Sequence, residues 1–363
     1  MIFSKKAIEK FYIDLDLNVS VLTDSEINEI REILDKANNP LYLFDDDGDG
    51  VCAYLILKKH FKKGKGISIK SAGALDTKYS VYIYEEKPDL VVILDKAVVK
   101  QELIDEIPCE ILYIDHHPIQ ELKKVKYYNP LIHDKKSYIP TSYMAYKITN
   151  DNLWLAIVGC LFDYKSPDFL NEFKKQYPDL LDKTHTDPGY ILFKTELGRL
   201  IKLFAFNMKG KNSEVKKSIE LLENIESPYE IINKTNENAE YLQKRYEKLN
   251  REYELLLDKA KNCINNKDKV IVFEYPSSKT SFTQYLATEL SYAHQNKTVI
   301  VAREKENDFK LSLRNQKKDI SKILAKALNG LSGYGGGHKH ACGASIDKKD
   351  YENLIERIRK LTK

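Results

Sequence analysis

The sequence predicts an α/β protein with two domains joined by a helical region. Short apolar runs of strand length alternate with helical stretches in the first part of the chain, which is typical of a doubly wound parallel sheet. A smaller alternation of the same kind begins at residue 270. The chain has 363 residues, of which 42% are hydrophobic, so it is long enough to bury two cores.

The N-terminal domain is predicted to span residues 1–165. Its strands are short apolar runs, predicted at residues 41–44, 67–71, 90–95, 110–115 and 126–128. The stretches between them have the apolar spacing of helices, which are predicted near residues 50–62, 97–106 and 141–163. Strands separated by helices in this way are expected to pair in parallel.

Residues 166–265 are predicted to be helical. They end in one long helix over residues 237–262, which contain neither Gly nor Pro. The C-terminal domain is predicted to span residues 266–363. Its strands are predicted at residues 270–274, 298–302 and 309–314, with helices near 281–294 and 318–329. The glycine-rich segment 331–337 is predicted to form a loop.

Carboxylates follow several of the apolar runs of the first domain, at the point where each run ends. The runs lead into Asp45-Asp46-Asp47-Gly48-Asp49-Gly50, Asp95, Asp115-His116-His117 and Asp163. In an open α/β sheet, ligands bind at the carboxyl ends of the strands. Buried carboxylates destabilise a fold unless their charge is paired. Carboxylates with imidazoles and no thiolate favour Mn²⁺ or Mg²⁺, so the sequence predicts a metal site.

The acidic loop after the first strand has two interpretations. Asp45, Asp47 and Asp49 match the opening of an EF-hand calcium loop, but that loop needs a bidentate Glu at its twelfth position, where this chain has Ile56. We therefore interpret Asp47 and Asp49 as metal ligands, aimed inward by a turn that the glycines of the loop permit. Asp45 and Asp46 either support these ligands or face solvent.

Together these motifs resemble the DHH phosphoesterases, in the branch with a DHHA1 C-terminal domain. The residues that carry the resemblance are Asp47-Gly48-Asp49-Gly50, Asp95, Asp115-His116-His117, Asp163, and Gly335-Gly336-Gly337-His338 followed by Ala341-Cys342-Gly343. The last group is similar to the family signature GGGH-x-x-A-x-G. The motifs follow the family order over residues 45–343, and the D-x-D-G form of the first one looks more like RecJ-type nucleases than like small-substrate members.

The resemblance implies an active site in a cleft between a DHH domain and a DHHA1 domain, with two Mn²⁺ or Mg²⁺ ions that promote hydrolysis. The implied metal ligands are Asp47, Asp49, Asp95, His116, His117 and Asp163. Asp115, with the two histidines, belongs to the implied catalytic set, where it either binds a metal or orients an imidazole. The implied substrate-binding residues, which would hold a phosphate, are Arg314, Gly335, Gly336, Gly337 and His338.

Two positions depart from the family pattern. Leu43 stands where many members have a metal-ligating His, which would leave one metal with fewer ligands. Lys96 follows Asp95 where small residues are common. Lys96 has three interpretations: it offsets the negative charge of the carboxylates, it contacts a phosphate, or it points to solvent.

The function implied by the resemblance is a metal-dependent exonuclease acting on single-stranded DNA or RNA. Residues 1–170 contain 22 Lys and Arg against 27 Asp and Glu, whereas residues 301–363 contain 15 against 8. An acidic metal-binding half and a basic C-terminal half suit a bound phosphodiester. The alternatives are a phosphodiesterase or phosphatase of small substrates (oligoribonucleotides, cyclic dinucleotides or nucleotide bisphosphates) and a non-catalytic scaffold of replication or repair assemblies.

The sequence also predicts the compartment. No run approaches the roughly 18 apolar residues of a membrane span, and acidic residues follow the first lysines too soon for a signal peptide. Five scattered cysteines without a C-x-x-C pair suit reduced thiols. We therefore expect a cytoplasmic protein without a membrane partner, in which replication or repair proteins are candidate partners.

Overall fold

A computed structural model describes residues 22–70, 73–265, 267–277 and 280–362. The expectation that the chain lacks a signal peptide concerns residues outside the described ones. The chain divides into two compact units, of which the first comprises Met1–Ala205 with Ile219–Pro228 and the second Phe206–Ser218 with Tyr229–Lys363. None of the helices in the described ranges combines the length and apolarity that a membrane span requires.

The first unit is built on a five-stranded sheet. Its strands are β1 (Pro40–Asp45), β2 (Lys65–Ile69), β3 (Leu90–Leu94), β4 (Glu110–Ile114) and β5 (Lys126–Tyr128). All neighbouring strands are parallel, in the order β2-β1-β3-β4-β5. The predicted doubly wound parallel sheet is therefore confirmed.

Helices surround this sheet and continue the chain beyond it. They are α1 (Asp24–Lys36), α2 (Gly48–Phe61), α3 (Ser80–Glu86), α4 (Gln101–Glu106), α5 (Thr141–Thr149), α6 (Leu153–Phe162), α7 (Leu170–Gln176), α8 (Pro188–Lys194) and α9 (Glu196–Asn207). One face of the sheet forms a buried cluster that includes Leu43, Ile93, Ile83 of α3 and Leu103 of α4. On the other face, the ring of Tyr54 from α2 stacks on Phe44 at 4.3 Å between centroids.

The order of strands determines where a ligand can approach. The chain passes from β1 to β2 at one side of β1 and then to β3 at the other side. The carboxyl ends of β1 and β3 therefore flank the point where the winding direction changes, which is where open α/β sheets bind their ligands. The acidic loop that begins at Asp45 and the carboxylate of Asp95 both lie at these ends.

The prediction of one helix over residues 141–163 is wrong, because the segment forms α5 and α6. Asn150 and Asn152 have left-handed backbones, with φ of 53° and 58°, and the N–H of Asn150 donates to Tyr146 O to close α5. Asparagine tolerates this conformation better than most residues. Gly159 then lets α6 pack closely, because a Cβ there would lie 2.6 Å from Ser142 Cβ and 3.0 Å from Cys52 Cβ.

The second unit contains a mixed five-stranded sheet. Its strands are β6 (Val270–Tyr275), β7 (Thr298–Lys305), β8 (Asp308–Arg314), β9 (Gly333–His338) and β10 (Ala341–Asp347), in the order β6-β7-β8-β10-β9. Strands β6 and β7 are parallel and the other pairs are antiparallel. The remaining helices of the chain are α10 (Asn212–Leu222), whose residues are divided between the two units, α11 (Pro228–Asn233), α12 (Glu237–Asn262), α13 (Thr283–Ala293), α14 (Ile320–Leu328) and α15 (Lys348–Leu361). The long helix predicted over residues 237–262 is confirmed as α12.

The prediction of a loop over residues 331–337 is wrong, because Gly333–His338 forms the edge strand β9. Glycine has a low strand propensity, but pairing with a neighbouring strand overrides that preference here. Small residues also permit the close pairing with β10, since a Cβ at Gly335 would lie 2.7 Å from Gly343 O and 2.8 Å from Ala344 Cβ. This contact is set by a strand that follows later in the chain, so local sequence did not reveal it.

Candidate metal centre

The loop after β1 places two carboxylates at the start of α2. Asp47 is the N-cap of this helix, and its Oδ1 accepts hydrogen bonds from the N–H groups of Asp49 at 3.0 Å and Gly50 at 3.1 Å. A Cβ at Gly50 would lie 2.6 Å from Asp45 O, so the turn requires a glycine at this position. The tight turn carries Asp49 into the interior, where it is fully buried.

Asp49 is fixed by a second helix. Its Oδ2 accepts from the N–H of Thr141 at 2.6 Å, and its Oδ1 accepts from the N–H of Ser142 at 2.9 Å and from the Ser142 hydroxyl. These N–H groups belong to the first turn of α5, where backbone donors lack partners within the helix and a negative charge is favourable. A carboxylate has about four acceptor positions, so these bonds leave room for a cation.

Asp95 follows β3 with an unusual backbone. Its φ is 56°, its N–H donates to Ile114 O at 3.0 Å, and its Oδ1 accepts from the Thr141 hydroxyl at 3.3 Å. A left-handed conformation outside glycine is strained unless the surroundings hold it, and such residues cluster at functional sites. Here the strain turns the Asp95 carboxylate toward the histidines that follow β4.

His116 lies at the centre of the acidic groups. Its Nε2 is 3.2 Å from Asp95 Oδ1 and 3.4 Å from Asp163 Oδ2. Two groups of three residues bring potential ligand atoms together, and within each group these atoms lie within 4.8 Å of one another. The groups are Asp95, His116 and His117, and Asp49, His116 and Asp163. Because His116 is common to both groups, the sites they define adjoin.

Asp115 orients His117. The Nδ1 of His117 lies 2.8 Å from Asp115 Oδ1 and its backbone N–H donates to Asp115 Oδ2 at 3.1 Å. The Tyr127 hydroxyl donates to the same Oδ2 at 3.3 Å, and Asn129 Nδ2 donates to His117 O at 2.9 Å. Asp115 is fully buried. Through these contacts Asp115, Tyr127 and Asn129 fix the position of His117.

Asp163 ends α6, and Tyr138 lies beside it. The Tyr138 hydroxyl donates to the backbone oxygen of Asp163 at 2.9 Å, and its ring centroid lies 5.7 Å from that of His116. Burial and the charges of Asp163 and Asp49 raise the pKa of Tyr138 well above its usual value. Tyr138 is therefore a neutral hydrogen-bond donor at the side of the cluster.

Burial and mutual repulsion oppose the ionisation of the carboxylates in this cluster. Burial and the charge of Asp49 raise the pKa of Asp47 to about 6, and burial raises that of Asp49 to about 6. Burial and the neighbouring carboxylates raise the pKa values of Asp95 and Asp163 well above the usual range. Across the described residues, no Lys or Arg forms an ion pair with any of these four carboxylates.

A divalent cation fits this donor set. The converging atoms are carboxylate oxygens and imidazole nitrogens, which suit Mn²⁺ and Mg²⁺. Cys52 and Cys160 lie nearby, but burial and the charge of Asp49 raise their pKa values well above that of a free thiol, so both remain protonated and are poor ligands. A cation would supply the positive charge that the four carboxylates lack.

The two departures from the family pattern have clear structural outcomes. Leu43 is fully buried in the apolar cluster on one face of the sheet, so it is a core residue. Lys96 does not face solvent, because it is 1% exposed. Its Nζ donates to Lys70 O at 2.7 Å and to Asp45 Oδ2 at 3.3 Å, so it joins the ends of β2, β1 and β3 and offsets the charge of Asp45.

The candidate phosphate-binding residues lie in the second unit. His338 ends the exposed strand β9, which also contains Gly335, Gly336 and Gly337. Arg314 ends β8, where its Nε donates to Thr288 Oγ1 at 3.1 Å and its Nη1 to Leu313 O at 2.9 Å. Burial lowers the pKa of Arg314 to about 10, so it stays charged at neutral pH. Their role in holding a phosphate stays a prediction.

Several residues that shape the centre were missed at the level of sequence. They are Thr141 and Ser142, which bind Asp49, together with Tyr127, Asn129 and Tyr138. Thr and Ser at the start of a helix, directly after a proline, are a helix-start signal that could have drawn attention to the first two. The other three lie in irregular segments or short strands, and their sequence carried no comparable signal.

The geometry defines an α/β protein with a cluster of carboxylates and imidazoles that fits divalent metal ions, and family models match both of its domains. The N-terminal domain of the DHH family matches residues 42–180, and the DHHA1 domain matches residues 268–363. The chain belongs to the DHH/DHHA1 phosphoesterase family, with a RecJ-like fold. A comparison with curated proteins gave no match.

Solved structures support the fold. RecJ from Thermus thermophilus in complex with Mn²⁺ is similar over 96% of this chain and 56% of that chain, with a TM-score of 0.67 and 16% identity. The chain thus spans little more than half of that RecJ. Exonuclease RecJ bound to manganese is similar over 95% of both chains, with a TM-score of 0.61 and 16% identity. CDC45 from Entamoeba histolytica matches over 94% of this chain and 100% of that chain, with a TM-score of 0.52 and 9% identity.

The raised carboxylate pKa values predict how pH and metal act on stability. Between about pH 4 and pH 6 the folded protein retains protons on Asp47 and Asp49 that the unfolded chain releases, so the free energy of unfolding of the metal-free protein should fall as pH rises. Burial lowers the pKa of His117, but Asp115, Asp47 and Asp45 together raise it above its usual value, and this acts in the same direction above pH 6.5. A bound cation requires ionised carboxylates. Mn²⁺ should therefore stabilise the protein more at pH 7.5 than at pH 5.

Thermal unfolding with and without Mn²⁺ at the two pH values measures this effect. A metal at 100 times its Kd adds about 2.7 kcal/mol, which corresponds to a rise in Tm of roughly 5–10 °C for a unit of this size. The Asp163→Asn variant should lose most of that rise at pH 7.5, whereas Asp105→Asn, at an exposed ion pair with Lys124, should keep it. An equal Mn²⁺ effect at both pH values would contradict the assignment.

The buried Lys96 predicts a second stability effect. Lys96→Met removes the cation that pairs with buried Asp45, and breaking a buried pair costs about 3 kcal/mol or more. Lys70 is the matched control, because it pairs with Asp46 while 48% exposed, so Lys70→Met should cost under about 1 kcal/mol. Urea denaturation of both variants tests the difference. Similar losses in the two variants would show that Lys96 does not hold the strand ends together.

Proposed function

We propose that this protein is a divalent-metal-dependent phosphodiesterase, and specifically an exonuclease that hydrolyses single-stranded DNA or RNA. The observation that carries the proposal is the convergence of Asp49, Asp95 and Asp163 on His116, in a group of carboxylates that no Lys or Arg of the described residues pairs with. A purely structural cluster would be expected to include a lysine or arginine, as Asp45 does with Lys96.

The residues of the chain have distinct tasks in this proposal. Two Mn²⁺ or Mg²⁺ ions, when bound, would activate water and neutralise the charge that develops on the phosphate. Asp47, Asp49, Asp95, His116, His117 and Asp163 would hold them. Asp115 fixes the ring of His117, and such outer contacts set the orientation and basicity of a ligand. The N–H groups in the first turn of α5 donate to Asp49 and favour its ionised form against the opposing effect of burial.

Two observations favour a nuclease over a small-substrate enzyme. The likeness of fold to exonuclease RecJ covers almost all of this chain. The C-terminal residues 301–363 carry 15 basic against 8 acidic side chains, which suits a partner with several phosphates. Retention of the whole acidic cluster argues against the scaffold alternative, because a scaffold does not need a costly group of buried charges.

The proposal predicts metal-dependent hydrolysis. Purified protein should shorten end-labelled single strands in Mn²⁺ or Mg²⁺ and lose that activity in EDTA. Asp163→Asn replaces a ligand oxygen and removes the negative charge, but the side chain keeps nearly the same size. It should therefore lower turnover at least about 100-fold, with little change in the far-UV circular dichroism spectrum. The exposed control Asp105→Asn should keep full activity. Undiminished turnover of Asp163→Asn, or activity in EDTA, would refute the metal mechanism.

Substrate length separates the nuclease from the small-substrate alternative. The Asp163→Asn variant should bind a single strand of about 20 nucleotides more tightly than a dinucleotide, and the advantage should shrink as salt rises, with a log–log slope of roughly −0.7 per phosphate contacted. Fluorescence anisotropy with strands of increasing length at two salt concentrations measures this. An affinity that stops rising at two nucleotides would instead favour oligoribonucleotides, cyclic dinucleotides or nucleotide bisphosphates as substrates.

A further inference from the structure

One face of the sheet in the second unit carries polar and aromatic side chains. Strands β8, β10 and β9 lie side by side and antiparallel, and side chains alternate between the two faces of a sheet. Leu311, Leu313 and Ile346 belong to the buried cluster under α14 and α15. The residues between them therefore lie on the opposite face. We call this the open face and define it by two rows of three residues that cross the strands.

The first row of the open face contains the candidate phosphate-binding side chains. Arg314 of β8 pairs with Ala341 of β10, which pairs with His338 of β9. The hydrogen bond from Arg314 Nε to Thr288 Oγ1 of α13 fixes the guanidinium at one end of the row. The small side chain of Ala341 separates this cation from the imidazole at the other end.

The second row places an exposed ring beside a cation. Lys310 of β8 pairs with Ser345 of β10, which pairs with Tyr334 of β9. Lys310 Nζ donates to Ser345 Oγ at 2.6 Å, lies 3.5 Å from Asp308 Oδ2 and lies 5.7 Å from the centroid of the Tyr334 ring. Tyr334 is 72% exposed, more than any other large hydrophobic side chain in the described part of the chain. Packing within the unit does not account for a ring in this position.

The surface between the two rows is bare backbone. Gly336 of β9 pairs with Gly343 of β10. A Cβ at Gly336 would meet no atom within 4 Å, and one at Gly343 would meet only Leu311 O at 3.8 Å. The fold itself thus has room for side chains at both positions. Their absence leaves a flat strip along which a ligand can lie against the backbone.

We propose that Tyr334, supported by Lys310, stacks on a base of a single-stranded oligonucleotide whose phosphate lies at the row of His338 and Arg314. The inference rests on the proposed function, since it names the substrate contact of the second unit. Aromatic side chains on an exposed sheet face stack on unpaired bases in this way. The two cations on the open face, within a segment of 15 basic and 8 acidic residues, favour an anionic strand as the occupant.

The separation of the rows sets which base is contacted. Tyr334 and His338 are four residues apart on one strand, which corresponds to about 14 Å. Nucleotides repeat at about 3.4 Å in a stacked strand and at wider spacing in an extended one. The stacked base therefore lies at most about four nucleotides from the phosphate at His338, and nearer for an extended strand.

Abasic substitutions test the contact directly. In the full chain carrying Asp163→Asn, with Mn²⁺ present, affinity is measured by anisotropy for a DNA hexamer and for six versions that each lack one base. One abasic position should weaken binding about tenfold. Adding Tyr334→Ala should weaken binding of the intact hexamer by a similar factor and abolish the effect of that abasic position. Tyr334→Phe should restore the affinity for the intact hexamer and the effect of that abasic position. Tyr84→Ala, at another exposed tyrosine, should change neither quantity.

The outcomes distinguish this inference from the proposed function. If Tyr334→Ala leaves every abasic effect unchanged, or if no hexamer binds, the stacking contact is wrong. If the wild-type protein cleaves single strands but Tyr334→Ala does not abolish the effect of any abasic position, only the stacking contact is overturned. Coupling between Tyr334 and one base, without cleavage by the wild-type protein in Mn²⁺, would overturn the exonuclease proposal and leave the stacking contact standing.

Discussion

The concentration of buried carboxylates at the end of the parallel sheet is the constraint on which the first unit depends. Four carboxylates lie within or beside a cluster centred on His116, and no lysine or arginine of the described ranges pairs with them. Such an arrangement is unfavourable in a protein interior without a partner of opposite charge. The fold therefore holds these groups with other contacts: the first turn of α5 binds Asp49, the N-cap geometry of α2 fixes Asp47, and a strained backbone directs Asp95.

The topology explains why these groups meet. The carboxyl ends of β1 and β3 flank the change of winding direction, and the ends of β4 and α6 bring the histidines and Asp163 to the same place. Lys96 shows the contrast between a paired buried charge and the carboxylates of the candidate metal centre. It is as deeply buried as Asp95, but it pairs with Asp45 and the backbone of Lys70, and so it ties three strand ends together. The carboxylates of the candidate metal centre have no such lysine among the described residues.

The sequence predicted the sheet and the acidic strand ends because both are local patterns. Apolar runs of strand length mark β1, β3 and β4, and their terminal acids need no knowledge of distant contacts. The parts that were not predicted depend on partners far along the chain. Ser142 lies 93 residues from the Asp49 that it binds. Likewise, β9 is a strand because β10 pairs with it, although its own glycines indicate a loop.

Anomalous diffraction at the manganese edge, from crystals of the full chain grown with Mn²⁺, tests the central claim most directly. The account predicts anomalous peaks bounded by Asp49, Asp95, His116 and Asp163, with carboxylate oxygens and imidazole nitrogens at about 2.0–2.4 Å from the ion. Crystals of the Asp163→Asn variant grown in the same way should show a weakened or missing manganese peak among these residues. Strong manganese peaks elsewhere, with none among these residues, would contradict the account.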